Sequence, residues 1–386
     1  MPLPAGLHVP PYGAGTLAEV LPGAAAVLGE PVARGDGPAD PLGLGAALDG
    51  VRRIAVLLVD GLGADLLAAH PDDAPVLSAL AAPAGVLSAP CPSTTPVSIT
   101  TLGTGLPPGS HGVLGFVTEV PGRHRVLNHV QWKDDPDPRE WQAQPTVFES
   151  VAARGVACTV LAPHAFERSG LTRAAYRGAT FRSAIGPGDL VAGLHQALAA
   201  APRALAYGYV SELDTTGHVR GVDSPAWRHQ LAQVDRMVEQ VVAGLPGDAA
   251  LLVTADHGML DVPADTRLDT EADPRLTDGV RLLTGEPRAR YVHTEPGAAD
   301  DVLAAWTEVL GDRAWVAGRE EAVHSGVFGP LAPGLAERLG DVVVFARGSW
   351  AFLAPSAEPG PTRLAAFHGS LTRPELAIPL LVARGG

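Results

Sequence analysis

A chain of 386 residues with a formal charge of −14 at pH 7 lacks the basic face that gripping nucleic-acid backbone or an anionic membrane requires. A phosphate substrate stays open, because bound divalent cations reverse the field locally. Lys133 is the only lysine, a compositional bias from which no mechanism follows, and Cys91 and Cys158 are too few for a disulfide framework, although one bridge between them is open.

The stretch 1–11 is broken by Pro2, Pro4, Pro10 and Pro11 and lacks the basic start and apolar run of a signal peptide. No apolar stretch reaches membrane-spanning length, so the expected location is the cytoplasm, with no membrane partner. A helical patch at 17–28 precedes residues 54–59 (IAVLLV), a continuous apolar run suited to a buried central parallel strand. Similar runs at 205–210 (LAYGYV), 249–253 (AALLV) and 378–382 (IPLLV) are separated by segments of helical spacing such as 147–153 and 226–245. This alternation predicts an α/β fold with a mostly parallel central sheet flanked by helices. Between 262 and 361 the pattern loosens into Pro- and Gly-punctuated pieces, with one helix at 298–310 and a strand at 341–345. Three parts are therefore expected: a core over 1–261, a cap or insertion over 262–361, and a return to the core over 362–386.

The ends of these runs carry similar residues. The first leads into Asp60, the second into Asp214 and His218, the third into Asp256 and His257, and His368 lies shortly before the last. In open parallel sheets ligands bind beyond the carboxyl ends of the strands, so these side chains could converge. Asp and neutral imidazole suit Zn²⁺ and similar ions, and there are enough of them for two ions. Singly, each has an ordinary reading: Asp60 as a turn residue before Gly61, Asp214 and His218 as a solvated loop pair, His368 as a structural histidine. The segment 91–111 (CPSTTPVSITTLGTGLPPGSH) adds a hydroxyl. Thr95 before Pro96 reads as the cap of a helix, where free N–H groups and the macrodipole favour a phosphate oxygen. Thr94, one residue earlier on an extended segment, points to the opposite side.

VDGLG, PSTTP followed by TGLPPGSHG, LDTTGH, TADHGM and FHGS stand in the order seen in the alkaline phosphatase superfamily. Over about residues 60–368 the pattern most resembles the nucleotide pyrophosphatase/phosphodiesterase branch. The resemblance implies that Asp60, Thr95, Asp256 and His257 hold one divalent ion and that Asp214, His218 and His368 hold another, with Zn²⁺ the expected metal. It also implies hydrolysis of phosphate diesters or nucleotide pyrophosphates through a phosphothreonine on Thr95. The partner would be a small phosphate ester or nucleotide, not a nucleic-acid polymer.

The chain departs from the branch at one place. Where the branch carries an Asn shortly after the His-Gly that follows the nucleophile, this sequence has Phe116, so a hydrogen-bond donor to the phosphoryl group is missing. Asn128 is the candidate replacement, Arg123, Arg125 and Lys133 bring positive charge to the same segment, and Phe116 or Trp132 could stack on a base. A solvated loop and core-filling aromatics are the plain alternatives. No Arg lies in the nucleophile segment, which favours a diester or phosphonate over a monoester with its extra anionic oxygen. Phosphonoacetate hydrolase-like or phosphomonoesterase activity remains open, as does a catalytically silent metal-binding relative acting as a binding module, whose mark would be lost ligands.

Overall fold

The computed structural model describes residues 3–34, 37–82, 84–123 and 125–386. Seven strands form the main sheet: β1 (Arg53–Val59), β2 (Val86–Ser88), β3 (Ala157–Pro163), β4 (Thr180–Ala184), β5 (Ala204–Val210), β6 (Ala249–Thr254) and a last strand, β11 (Ala377–Arg384). Their spatial order is β2-β11-β6-β1-β5-β3-β4. The sheet is parallel from β6 across to β4, with Arg53 opposite Ala204 on one side and Ala249 on the other. β11 is the exception, running antiparallel to both β6 and β2. An apolar run reports burial on both faces but not direction, so the final strand could be found and its sense could not. β1 and β5 are wholly buried along their apolar lengths because helices such as Pro187–Ala199 and Pro225–Ala243 cover the sheet.

A second sheet is built from β7 (Val280–Glu286), β8 (Ala289–Thr294), β9 (Ala314–Gly318) and β10 (Val342–Ala346), in the order β7-β8-β10-β9 and antiparallel throughout. Alternation along β10 shows why this sheet joins the rest. Val342, Val344 and Ala346 pack with Trp306 and Val302 of the helix Ala299–Leu310, whereas Val343 and Phe345 belong to the main core. One face thus makes its own small core and the other is glued to the large one. Cys91 and Cys158 are both free and buried, so the bridge left open by the sequence is not made. Among the described residues no helix is long and apolar enough to cross a membrane.

Candidate metal centre

At the carboxyl end of β1, Asp60 continues the ladder by donating its N–H to Val210 O at 2.9 Å. Gly61 then turns the chain at φ +73°, and a Cβ there would sit 3.0 Å from Asp214 Cβ; no larger residue lets the two aspartates approach this way. Asp214 and His218 are not on a loop. They stand four apart on the helix Glu212–Arg220, which puts both on one face. Asp256 and His257 follow β6 directly, and Asp256 is completely buried.

The segment around Thr95 corrects an expectation. Thr94, extended at φ −140° and ψ 145°, occupies the cap, and Thr95 is the first residue of the helix Thr95–Thr104. The Thr95 hydroxyl is therefore released from capping and lies 3.2 Å from His257 Nε2. Thr94 makes no capping bond, and its side chain approaches Glu286 instead. Ser98 ties this helix to the β6 loop by donating to Asp256 O at 2.8 Å. Ser93 O accepts from His368 Nδ1 at 2.9 Å, fixing the loop of the last histidine against the same segment.

For Asp60, Asp256 and the three histidines the hydrogen bonds separate a held atom from an offered atom. Asp256 Oδ1 accepts from the N–H groups of Gly61 and His257, at 3.1 and 3.0 Å, and Tyr209 donates its hydroxyl to Asp60 Oδ2. Asp60 Oδ1, Asp214 Oδ1 and Asp256 Oδ2 are buried without a partner. His218, His257 and His368 each set Nδ1 against a backbone carbonyl, of Ala366, Gly258 and Ser93. That contact requires the proton on Nδ1 and leaves the Nε2 lone pair free. The Nε2 atoms converge: His257 Nε2 is 3.5 Å from Asp60 Oδ1 and 3.2 Å from Asp256 Oδ2, while His218 Nε2 is 3.4 Å from Asp214 Oδ1 and 3.1 Å from His368 Nε2.

Unpartnered carboxylate oxygens facing acceptor nitrogens in a buried cluster cost free energy unless a cation joins them. The electrostatics say the same. Burial, and then the charges of Asp256 and Asp214, push the Asp60 carboxyl well above its usual range, and burial raises Asp214 against the opposing pull of His218. Burial, with His257 and His218 beside it, drives His368 well below the ordinary imidazole range. The donor set is carboxylate and imidazole with no thiolate, which fits divalent ions of the zinc type. Among the described residues, two groups have potential ligand atoms within 4.8 Å of one another, Asp60 with Asp256 and His257, and Asp214 with His257 and His368. His257 thus stands in both, and its ring stacks on His368 with centroids 3.6 Å apart.

The weaker candidates separate. Phe116 lines the cavity over Thr95. Asn128 does not; its Oδ1 accepts from the N–H groups of Val130 and Gln131, and it lines a neighbouring cavity. Trp132 is core, packed against Trp141 and donating to Pro136 O. Arg123 and Arg125 both pair with Asp135 at the surface. Two residues that sequence reasoning passed over bear on the centre: Tyr209, read only as part of an apolar strand although it sits one residue from the strand end, and Glu286, which arrives from the second sheet with Oε2 3.8 Å from His368 Nδ1.

A mostly parallel sheet with aspartates and histidines gathered at its carboxyl edge around a helix-start threonine defines the class, an α/β protein of the alkaline phosphatase superfamily. Comparison narrows it: residues 54–371 match the family model for type I phosphodiesterase / nucleotide pyrophosphatase, and the chain belongs to that family. The family is metal-dependent, in keeping with the two ligand groups. No curated protein matches the sequence. Among solved structures, murine ectonucleotide pyrophosphatase/phosphodiesterase 5 superposes with a TM-score of 0.68 at 19% identity, covering 86% of this chain and 88% of that one. An inactive threonine-to-alanine variant of the mouse protein in complex with AMP gives 0.68 and 19%, over 85% and 87% of the two chains. The human counterpart gives 0.67 and 18%, over the same 85% and 87%. Both relatives thus share the fold.

Proposed function

We propose that the protein is a metal-dependent hydrolase of phosphate diesters or nucleotide pyrophosphates that works through a covalent intermediate on Thr95. The observation that carries this reading is the convergence of unpartnered carboxylate oxygens and free Nε2 atoms beside the Thr95 hydroxyl. Asp60, Thr95, Asp256 and His257 would hold one ion and Asp214, His218 and His368 the other, with Zn²⁺ suited to the donor set. When bound, the ions supply positive charge to the Thr95 oxygen and to the departing oxygen. Thr95 Oγ bonds to phosphorus as the bond to the leaving alcohol breaks; the threonine proton passes to solvent and the leaving oxygen gains one. Water then bonds to phosphorus, the Oγ–P bond breaks, and the hydroxyl is restored. The helix start contributes N–H groups and the positive dipole end to the phosphoryl oxygens.

A cavity of about 410 Å³ over Thr95 is walled by Phe116, Phe166 and Tyr209, with hydroxyls of Ser169, Thr172 and Thr215. Aromatic walls with neutral polar groups suit a nucleoside. The AMP complex of the mouse relative supports a small nucleotide as substrate. No Lys or Arg lies among the lining residues, so a monoester's extra anionic oxygen, or the carboxylate of phosphonoacetate, meets no fixed cation. A silent binding relative is disfavoured by the complete ligand set. The test loads the protein with Zn²⁺, counts bound metal by elemental analysis, and compares a nitrophenyl nucleotide diester with nitrophenyl phosphate. We expect two equivalents and a higher kcat/KM for the diester. Fewer than one equivalent sinks the two-metal reading, and a preference for the monoester by a factor of about ten, roughly 1.4 kcal/mol, moves the protein to the phosphatases.

A further inference from the structure

The metal centre opens into two cavities that share Phe116, His218, Leu364 and His368. The first, described above, has Asp60 and Thr95 in its wall; the second, about 450 Å³, has neither. An in-line displacement sends the leaving oxygen to the side of phosphorus away from the nucleophile. A substituent departing past His218 and His368 therefore enters the second cavity.

Its wall is mainly apolar, with Val117, Pro287, Pro361 and Phe367 beside the shared residues, and it carries two carboxylates, Glu286 and Glu358, with no Lys or Arg among the lining residues. The two carboxylates differ. Glu358 is paired, its Oε2 lying 2.8 Å from Arg290 Nη1. Glu286 is 7% exposed, and its Oε1 has no hydrogen-bond partner. The Thr94 hydroxyl is the side-chain donor set against it. A buried acceptor left open at the wall of a cavity points to a ligand that brings the donor.

We propose that the second cavity is the leaving-group subsite and that it selects a substituent with an apolar body ending in an ammonium group, accepted by Glu286, while excluding anionic leaving groups. This rests on the phosphodiesterase reading above. The apolar wall buries the body of the substituent. The ammonium supplies the missing donor and a second positive charge near two carboxylates of which only Glu358 is paired with a guanidinium. A terminal phosphate or carboxylate reaching away from the ions would instead be pressed against Glu286 and Glu358 with no Lys or Arg in the wall, the repulsive half of a specificity device. Diesters of amino alcohols are thereby favoured over nucleotide pyrophosphates.

Three adenylate diesters separate the possibilities: one of hexanol, one in which the terminal methyl is replaced by an ammonium, and one in which it is replaced by a carboxylate. The charge lies too far from the ester to alter its intrinsic reactivity, so differences in kcat/KM report the cavity. We expect the ammonium ester to exceed the methyl ester about tenfold or more and the carboxylate ester to fall below both, with Glu286→Gln bringing the ammonium-to-methyl ratio towards one when each protein is compared at matched metal loading. Calorimetric binding of the free amino alcohol to the metal-loaded protein, weakened in Glu286→Gln, reads the same subsite without turnover. Equal rates for the ammonium and methyl esters, or a ratio that survives Glu286→Gln, overturn the inference and leave the phosphodiesterase reading standing. No turnover of any of the three esters by the metal-loaded protein overturns both.

Discussion

Tyr209→Phe removes one atom from the candidate metal centre. The hydroxyl donates to Asp60 Oδ2, and burial together with the Asp60 charge pushes its pKa well above the ordinary phenol range, so it remains a donor across the working pH range. The ring would stay, keeping its edge contact with Phe166 at 5.9 Å between centroids and its place in the wall of the first cavity. What is lost is the bond that orients the carboxylate so that Oδ1 faces His257 Nε2 at 3.5 Å. A hydrogen bond to a charged group contributes about 1.5–3 kcal/mol. Loss of such an orienting partner typically weakens metal binding by roughly ten- to a hundredfold. The hydroxyl also holds the Asp60 pKa down, so without it protons compete harder for the site and the deficit should widen as pH falls. Competition titration of Zn²⁺ against a chelating dye, at two pH values and alongside melting of the metal-free protein, measures all three quantities. Unchanged affinity at both pH values would refute the assigned role of Tyr209, and a loss that tracks melting alone would reduce it to packing.

Thr95→Ala is expected to abolish turnover while most metal is retained, Thr95→Ser to keep part of the activity, and Thr94→Ala to cost much less; acid quenching and peptide mass analysis should find phosphate on Thr95, and phosphate on Thr94 or Ser93 would contradict the assignment. Because the Asp60 and Asp214 carboxyls are raised in the metal-free fold, they hold protons to higher pH than free aspartates and must release them on binding. Metal affinity should therefore fall as pH drops through their raised pKa values, and calorimetry in buffers of different ionisation enthalpy should detect proton release, whose absence would argue against these two as ligands. Gly61→Ala forces a Cβ at φ +73° to within 3.0 Å of Asp214 Cβ, so a loss on the order of 1–3 kcal/mol in melting and reduced metal content are expected. Wild-type metal content in that variant would show that the approach of Asp60 to Asp214 is not needed.

The candidate ligands that the fold gathers were legible because each is tied to a signal with its own physics. Asp60, Asp256 and His257 follow continuous apolar strands, and the end of such a strand in a parallel sheet is where a site can form. Asp214 and His218 belonged to the same pattern, but the glycine and threonines between them disguised one helical turn as a loop. The cap of the helix Thr95–Thr104 was off by one residue, an ordinary error of helix boundaries, and here it bears on the candidate site: with Thr94 at the cap, the Thr95 hydroxyl is released from capping. β3 and β4 went unread because their burial mixes covered positions with half-covered and exposed ones, which breaks the continuous apolar run.

Glu286 was not legible for a different reason. It lies in the stretch read as a loosened cap, ends a strand of the second sheet, and meets Thr94 and His368 only because β10 alternates between the two cores and holds that sheet against the centre. No local pattern reports a contact that depends on the packing of one sheet against another. The division has a functional side. The candidate ligands come from the ends of the parallel strands and the segments packed on them, where the main core fixes backbone positions, while Glu286, Pro287, Glu358 and Pro361 of the second cavity come from the stretch between His257 and His368 in the chain. If the second cavity takes the leaving group as proposed, substitutions in that stretch away from His368 are expected to change which group is accepted, provided the side of β10 that packs on the main core keeps Val343 and Phe345.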